Sequence, residues 1–274
     1  MPTDLFTILQ PQGKSLPIVA NLPHSGLLVP QEIADSFTEH QRQTLPNSDW
    51  HLQQLYSFLP SLGITVMQAN YSRYVVDLNR ALKVPFFGSF WSAVVSKDTA
   101  FRQPIYQQTP INREPSKGEV RSRIDQYYTP YHQALSALLK ETIQQHGKVY
   151  LLDLHSFMGL ITDDVCLGNA NGKTCRNTTI AAAEHCFHQQ NYQVVKNKVF
   201  TGGYITQHYG KQPNVEALQV ELHYPTYLPD DQLDIETIPK WHSPKFSAAQ
   251  TKLEAVFTQL TSKLTTAKKG STLT

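Results

Sequence analysis

Apolar positions along the chain fall into two patterns: short continuous runs, and longer stretches in which they recur every three or four residues. The short runs predict strands at Pro17–Pro23, Gly63–Gln68, Tyr74–Leu78, Lys148–Leu154, Tyr192–Val195 and Glu216–Leu222. The run at Lys148–Leu154 follows Gly147 and is almost wholly apolar, as a central strand covered on both faces would be. Helical spacing predicts a helix over Ser48–Leu59, where Trp50, Leu52, Leu55, Tyr56 and Leu59 recur and Ser48 is placed to cap the first turn. The strongest helix is predicted over Glu119–Gln145, with Ile124, Tyr127, Tyr128, Tyr131, Leu135, Leu138 and Leu139 on one side and a kink at Pro130. Two more are predicted at Thr178–Gln189 and Ser247–Thr266. Residues 82–112, rich in Pro, Phe, Gly and Gln, are expected to be a long irregular and functional segment. Residues 267–274 are small and polar and are expected to be a disordered tail. Strands alternating with helices imply an α/β protein: a single three-layer α/β/α domain over residues 1–266 around a mixed, mostly parallel sheet.

Composition narrows the function classes. With 274 residues the chain can bury a large core, and 40% apolar and 17% charged residues are ordinary for a globular protein. The net charge of +2 lacks the basic stripe of a nucleic-acid binder. The three cysteines, Cys166, Cys175 and Cys186, form no CxxC and suggest neither a disulfide framework nor a thiolate metal site. Neither a signal-peptide pattern nor an apolar run of about 18 residues is found, so a soluble, cytoplasmic protein is expected.

Ligands of open α/β sheets bind at the carboxyl ends of the strands, and four polar clusters follow apolar runs. They are Pro23-His24-Ser25-Gly26, Asp77-Leu78-Asn79-Arg80, Asp153-Leu154-His155-Ser156 and Glu221-Leu222-His223. His24 and His155, meeting at one sheet edge, could be half of a zinc site; otherwise each caps its strand by hydrogen bonding. Asp153 lies two residues before His155 and so on the same strand face, either orienting a ligand histidine or pairing with a cation, and Asp77 offers the same choice. Arg80 is suited to gripping a carboxylate, or simply pairs with Asp77. Glu221 is a general base if it lies beside an activated water, and a solvated strand end otherwise. HExxH, Walker A, GxGxxG and GxSxG motifs are absent.

The segments VANLPHSGLLVP (19–30), NSDWHLQQLY (47–56), SRYVVDLNR (72–80), YYTPYHQAL (127–135), LLDLHSF (151–157), FTGGYITQHYG (200–210) and LQVELHY (218–224) occur in an order and spacing that resemble the N-formylglutamate amidohydrolase family, over about residues 17–225. That family is related to zinc carboxypeptidases and aspartoacylases, and the resemblance implies their kind of fold. It further implies one Zn2+ held by His24, Asp49 and His155, with His51 the competitor for the acidic ligand's place. Glu221 would be the catalytic base, and Asp77 would brace a ligand histidine. The substrate would be a small carboxylate-bearing N-acyl amino acid, N-formyl-L-glutamate first, gripped by Arg80 and Asn79, with Arg73, Arg113 and the loop at Gly203 holding the rest.

Two positions depart from the family's pattern. No arginine lies between His155 and Cys166, and Gln207 stands where a basic residue is expected. Both bear on the substrate rather than the metal. A deacylase for another N-acyl amino acid, a carboxypeptidase-like peptidase and a non-catalytic binding protein on the same fold are the competing expectations.

Overall fold

The computed structural model describes residues 4–159, 161–233 and 237–266; the expected tail at 267–274 lies outside them. The strands are β1 (Phe6–Leu9), β2 (Ile18–Leu22), β3 (Thr65–Ala69), β4 (Phe87–Gly88), β5 (Val95–Ser96), β6 (Val149–Phe157), β7 (Val165–Gly168), β8 (Val194–Lys196) and β9 (Val215–His223). Seven of them form one sheet in the order β1-β3-β2-β6-β9-β7-β8, and β4 and β5 form a separate parallel pair. Strands β3, β2, β6 and β9 run parallel; β1 is antiparallel to β3, β7 is antiparallel to β9, and β8 is parallel to β7. This is the mixed, mostly parallel sheet that the sequence predicts.

Helices lie on both faces. The helices are α1 (Gln31–Ala34), α2 (Glu39–Thr44), α3 (Leu52–Leu55), α4 (Lys117–Arg123), α5 (Thr129–His146), α6 (Asn177–Gln189), α7 (Tyr204–Tyr209) and α8 (Pro244–Thr266). On one face Leu52 and Leu55 of α3, Ile180 and Phe187 of α6, and Leu253 and Phe257 of α8 pack against Ala20, Leu152, Leu154, Val220 and Leu222. On the other, Val120 of α4, Leu135 and Leu139 of α5 and Ile205 of α7 pack against Val19, Leu151 and Ala217. None of the described helices is long and apolar enough to cross a membrane.

The second face positions the site. Side chains alternate between faces along a strand. On this face β2 runs Val19-Asn21, β6 runs Leu151-Asp153-His155, and β9 runs Ala217-Gln219-Glu221. Each strand is apolar where it starts and polar where it ends. Parallel register aligns these changes, with Asn21 opposite Asp153, Asp153 opposite Gln219, and His155 opposite Glu221. A layer of buried polar groups therefore forms at the carboxyl ends of the central strands.

Two expectations need correction. Tyr74–Leu78 is a series of turns, not a strand. The edge of β3 that it could join is already filled by β1, and its apolar side chains divide between two clusters, Tyr74 and Val75 in one and Val76 and Leu78 in the other. Ser48–Leu59 contains only the short α3 and the start of a 3-10 turn at Leu59–Leu62. His51 is in the left-handed region (φ 61°), and the Ser48 hydroxyl donates to the Leu45 carbonyl rather than capping a helix. The apolar residues of this segment enter the core as expected. The long helix predicted over Glu119–Gln145 consists of α4 and α5, joined just before Pro130 by a π-helical turn, Ile124–Tyr128. The Thr129 N–H bonds to the Ile124 carbonyl five residues back. The wider turn accommodates the missing N–H and the ring of the proline that follows.

Candidate active site

His24, Asp49 and His155 converge from three segments. His24 leaves the end of β2 on a turn that includes Gly26. A Cβ on Gly26 would come within 2.5 Å of the Asn70 carbonyl carbon, so only glycine lets this turn pack against the chain leaving β3. Asp49 lies in the loop before α3, tied to the first turn by its N–H donating to the His24 carbonyl. His155 projects from β6. All three are buried, and each can offer a ligand atom within 4.8 Å of the others.

The orientation of the rings is specific. Asp49 Oδ2 lies 3.0 Å from His155 Nδ1 and 3.8 Å from His24 Nδ1. The opposite nitrogens face carboxylates, His24 Nε2 at 2.7 Å from Asp77 Oδ1 and His155 Nε2 at 3.3 Å from Asp153 Oδ2. A carboxylate accepting the Nε2 proton leaves the Nδ1 lone pair free to bind a cation. Both braces are themselves held. Asp77 receives Nε–H and Nη2–H bonds from Arg73, and Asp153 receives bonds from Asn21 Nδ2 and Thr206 Oγ1. Asp49 is only 1% exposed and has no Lys or Arg partner among the described residues. A buried carboxylate is costly unless positive charge faces it, and two imidazoles and one carboxylate facing a common point fit a divalent metal of the zinc type.

Titration directions separate the two rings in the metal-free fold: His24 is neutral, while His155 holds a proton that a metal ion would have to displace. Burial and the nearby Arg73 guanidinium lower His24 to about 4, so it is neutral and able to ligate. Burial opposes protonation of His155 as well, but Asp153 and Asp49 on either side outweigh it and raise the value well above the usual range. Asp77 is held well below the usual carboxylate range despite its burial, by Arg73 and His24.

Glu221 stands on β9 directly opposite His155. It is 6% exposed, and burial pushes its carboxyl up to about 8. Gln219, on the same strand face, donates to Glu221 Oε1 at 2.6 Å. These groups line a cavity of about 560 Å3 together with Arg80, Asn79, Asn47, Phe90, Trp91, Phe101, Arg102 and Gly203.

The other expected substrate contacts are divided. Arg80 lines the cavity and is not paired with Asp77. Its Nε and Nη1 donate to the Phe90 and Asn79 carbonyls, and its guanidinium sits beside the Phe90 and Trp91 rings. Arg73 reaches the cavity, but its charge is engaged by Asp77. Asn79 also lines it, with Nδ2 against His155 Nε2 and Oδ1 accepting from Ile205 N–H. Gly203 approaches so closely that a Cβ would lie 2.3 Å from Asn79 Nδ2, but its N–H already donates to Gln219 Oε1. Arg113 is exposed and does not line the cavity. His51 points elsewhere, its Nε2 2.5 Å from the Pro239 carbonyl.

Sequence reasoning missed Gln219, Asn21, Thr206 and Arg102. Gln219 was readable, since it precedes Glu221 by the same two residues that separate Asp153 from His155. Thr206 and Arg102 gave no local signal.

A sheet whose carboxyl edge holds a buried group able to bind a divalent cation, with a buried carboxyl group on the next strand, resembles the equipment of a hydrolase. Residues 16–228 match the N-formylglutamate amidohydrolase family, and the chain belongs to that family. It is 32% identical over 231 residues to the N-formylglutamate deformylase of Pseudomonas putida, covering 81% of this chain and 85% of that protein. With the deformylase of Pseudomonas aeruginosa it is again 32% identical, over 79% of this chain and 84% of the relative. The crystal structure of an N-formylglutamate amidohydrolase from Ralstonia eutropha JMP134 superposes with a TM-score of 0.76 at 24% identity, covering 94% of this chain and 97% of that one. The chain is accordingly a hydrolase of amide bonds.

Proposed function

We propose that this chain hydrolyses the amide bond of N-formyl-L-glutamate, releasing formate and glutamate, with a Zn2+ held by His24, Asp49 and His155 and with Glu221 as the base. The observation that carries the reading is the arrangement around Asp49. Two Nδ1 atoms face its carboxylate, each ring is braced from behind by an aspartate, and Glu221 is the neighbour of His155 on the next strand. The names of the two Pseudomonas relatives supply the substrate.

When bound, the metal supplies Lewis acidity, polarising the formyl carbonyl and acidifying the attacking water. Glu221 removes a proton from that water as its oxygen adds to the formyl carbon, and returns the proton to the amide nitrogen as the C–N bond breaks. Asp77 and Asp153 keep the Nε2 protons of the two histidines in place. Arg80, packed beside Phe90 and Trp91, is the group that holds the α-carboxylate. The stem of Arg73 and the contact of Gly203 with Asn79 shape the wall around it.

The test is metal content together with formate release. About one zinc per chain is expected, with formate released from N-formyl-L-glutamate and release abolished by a chelator. Glu221→Gln should keep the metal and lose on the order of 10²–10⁴-fold in kcat. Near-normal turnover by that variant would remove Glu221 from the role of base. Protein that takes up no divalent metal would overturn the mechanism. Zinc uptake without formate release would favour the second reading, hydrolysis of a different N-acyl amino acid, for which the cavity of about 560 Å3 and its apolar lining leave room.

A further inference from the structure

We infer that Arg102 reads a second carboxylate on the substrate, so that the enzyme selects N-acyl amino acids with an acidic side chain. The inference rests on the N-formyl-amino-acid reading above and adds the residue that sets its side-chain preference.

The argument begins with the positive charge in the cavity. Among the described residues the arginines and lysines lining it are Arg73, Arg80 and Arg102. Arg73 is neutralised by Asp77. Arg80 and Arg102 have no carboxylate partner among the described residues, so two guanidinium charges face a cavity whose proposed substrate carries two carboxylates. The positions where the sequence led us to expect further cations do not supply them. Gln207 is neutral and turned back on the Gly202 carbonyl, no arginine follows His155 before Cys166, and Arg113 lies outside the cavity.

The backbone of Arg102 is also held where it is. It has φ 64°, a left-handed conformation that is strained for a residue with a Cβ. The turn that imposes this conformation is closed by Arg102 N–H to the Thr99 carbonyl, Thr99 N–H to the Gln103 carbonyl and Gln103 N–H to Thr99 Oγ1. It is anchored beside the site, because Ala100 N–H donates to the side chain of Asn47, two residues before Asp49. Asp98, one residue before the turn, accepts from Phe90 N–H, next to Arg80's aromatic neighbours. These contacts tie the backbone of Arg102 to the loop of Asp49 on one side and to the wall of Arg80 on the other, so that the residue, though exposed, lines the cavity. Facing a carboxylate, it can make a bidentate pair.

The test compares N-formyl-L-glutamate with N-formyl-L-glutamine, which differ by one charge at the end of the side chain. Binding to the zinc-loaded Glu221→Gln protein, measured by calorimetry, and kcat/KM of the active enzyme are read separately. The parent protein should prefer the glutamate form by 10- to 100-fold in both. Arg102→Gln should lose that preference by weakening the glutamate form while changing the glutamine form by less than about 2-fold. Arg113→Gln, which removes the same charge outside the cavity, should leave the preference intact. Equal loss on both ligands, no change on either, or a parent protein without preference in binding would each overturn the inference. If the glutamate form binds with the stated preference but no formate is released, the proposed reaction fails while the role of Arg102 stands.

Discussion

Asp77 and Asp153 show what a single side chain does at this site. Each is fully buried and each receives other hydrogen bonds, so neither depends on its histidine for satisfaction. Replacing either by asparagine keeps the shape but removes the negative charge behind the ring of a proposed ligand. Asp77→Asn and Asp153→Asn are each expected to weaken zinc affinity by about 10–100-fold, measured by competition with a chromophoric chelator. Glu221 gives a prediction in pH. In the metal-free fold it keeps its proton up to about 8, while the unfolded chain loses it near the ordinary value of 4.5. Between those values the unfolded state binds fewer protons, so the burial of Glu221 costs stability increasingly as pH rises from about 4.5 to 8 and levels off above that. Metal-free Glu221→Gln should therefore gain stability relative to the parent over this interval, by on the order of 2–4 kcal/mol at its top. Denaturant unfolding at pH 5 and pH 8.5 measures this, and an equal difference at both values would contradict it.

At the scale of elements, the site depends on where strands end and on turns that bring loops close. The β2 turn touches the chain after β3 through Gly26, and the chain before α7 touches Asn79 through Gly203. Gly26→Ala places a methyl against an immovable backbone carbonyl. It should cost about 1–3 kcal/mol and displace His24, so that a lower midpoint in denaturant is accompanied by weaker zinc binding. A loss of stability with unchanged zinc affinity would show that the turn yields without moving the ligand. The elements also show how far apolar patterning reads. Continuous apolar runs found the four parallel strands, because a strand buried on both faces needs no polar alternation. The same reading failed at Tyr74–Leu78, where an apolar run crosses the ends of the strands and buries its side chains in two clusters. It also passed over β1 and β7, four residues each, which owe their strand form to the edges they complete.

For the whole molecule, metal binding and folding should be linked. The three proposed ligands come from positions 24, 49 and 155 and meet only in the folded chain, so an ion that binds there stabilises the fold by mass action, roughly 2.7 kcal/mol at a free concentration one hundred times Kd. Adding zinc to chelator-treated protein should raise the unfolding temperature. The gain should shrink as pH falls, because a proton shared by His155 with Asp49 and Asp153 competes with the ion. Calorimetric scans at pH 6 and 8 with fixed zinc would measure it, and a gain independent of pH would argue against His155 as a ligand.

Much was settled locally by the sequence. Strand interiors, the long helices, and the placing of His24, His155 and Glu221 at or just past the ends of apolar runs follow from side-chain periodicity and burial, which act over a few residues. The pairing of Asp153 with His155 follows from the two-residue repeat of a strand. Other features needed the tertiary structure. Asp49 and His51 lie in one loop, and only the fold turns Asp49 towards the histidines and His51 away. Arg73, Arg80, Arg102 and Arg113 are alike as letters, and their charges differ in effect because Asp77 engages the first, the next two line the cavity, Arg102 from an exposed position, and the last is exposed away from it. The physical reason is that hydrophobic burial is recorded residue by residue along the chain. Ligand geometry and charge compensation depend on distances between segments far apart in it, and those distances exist only once the sheet has brought the strand ends together.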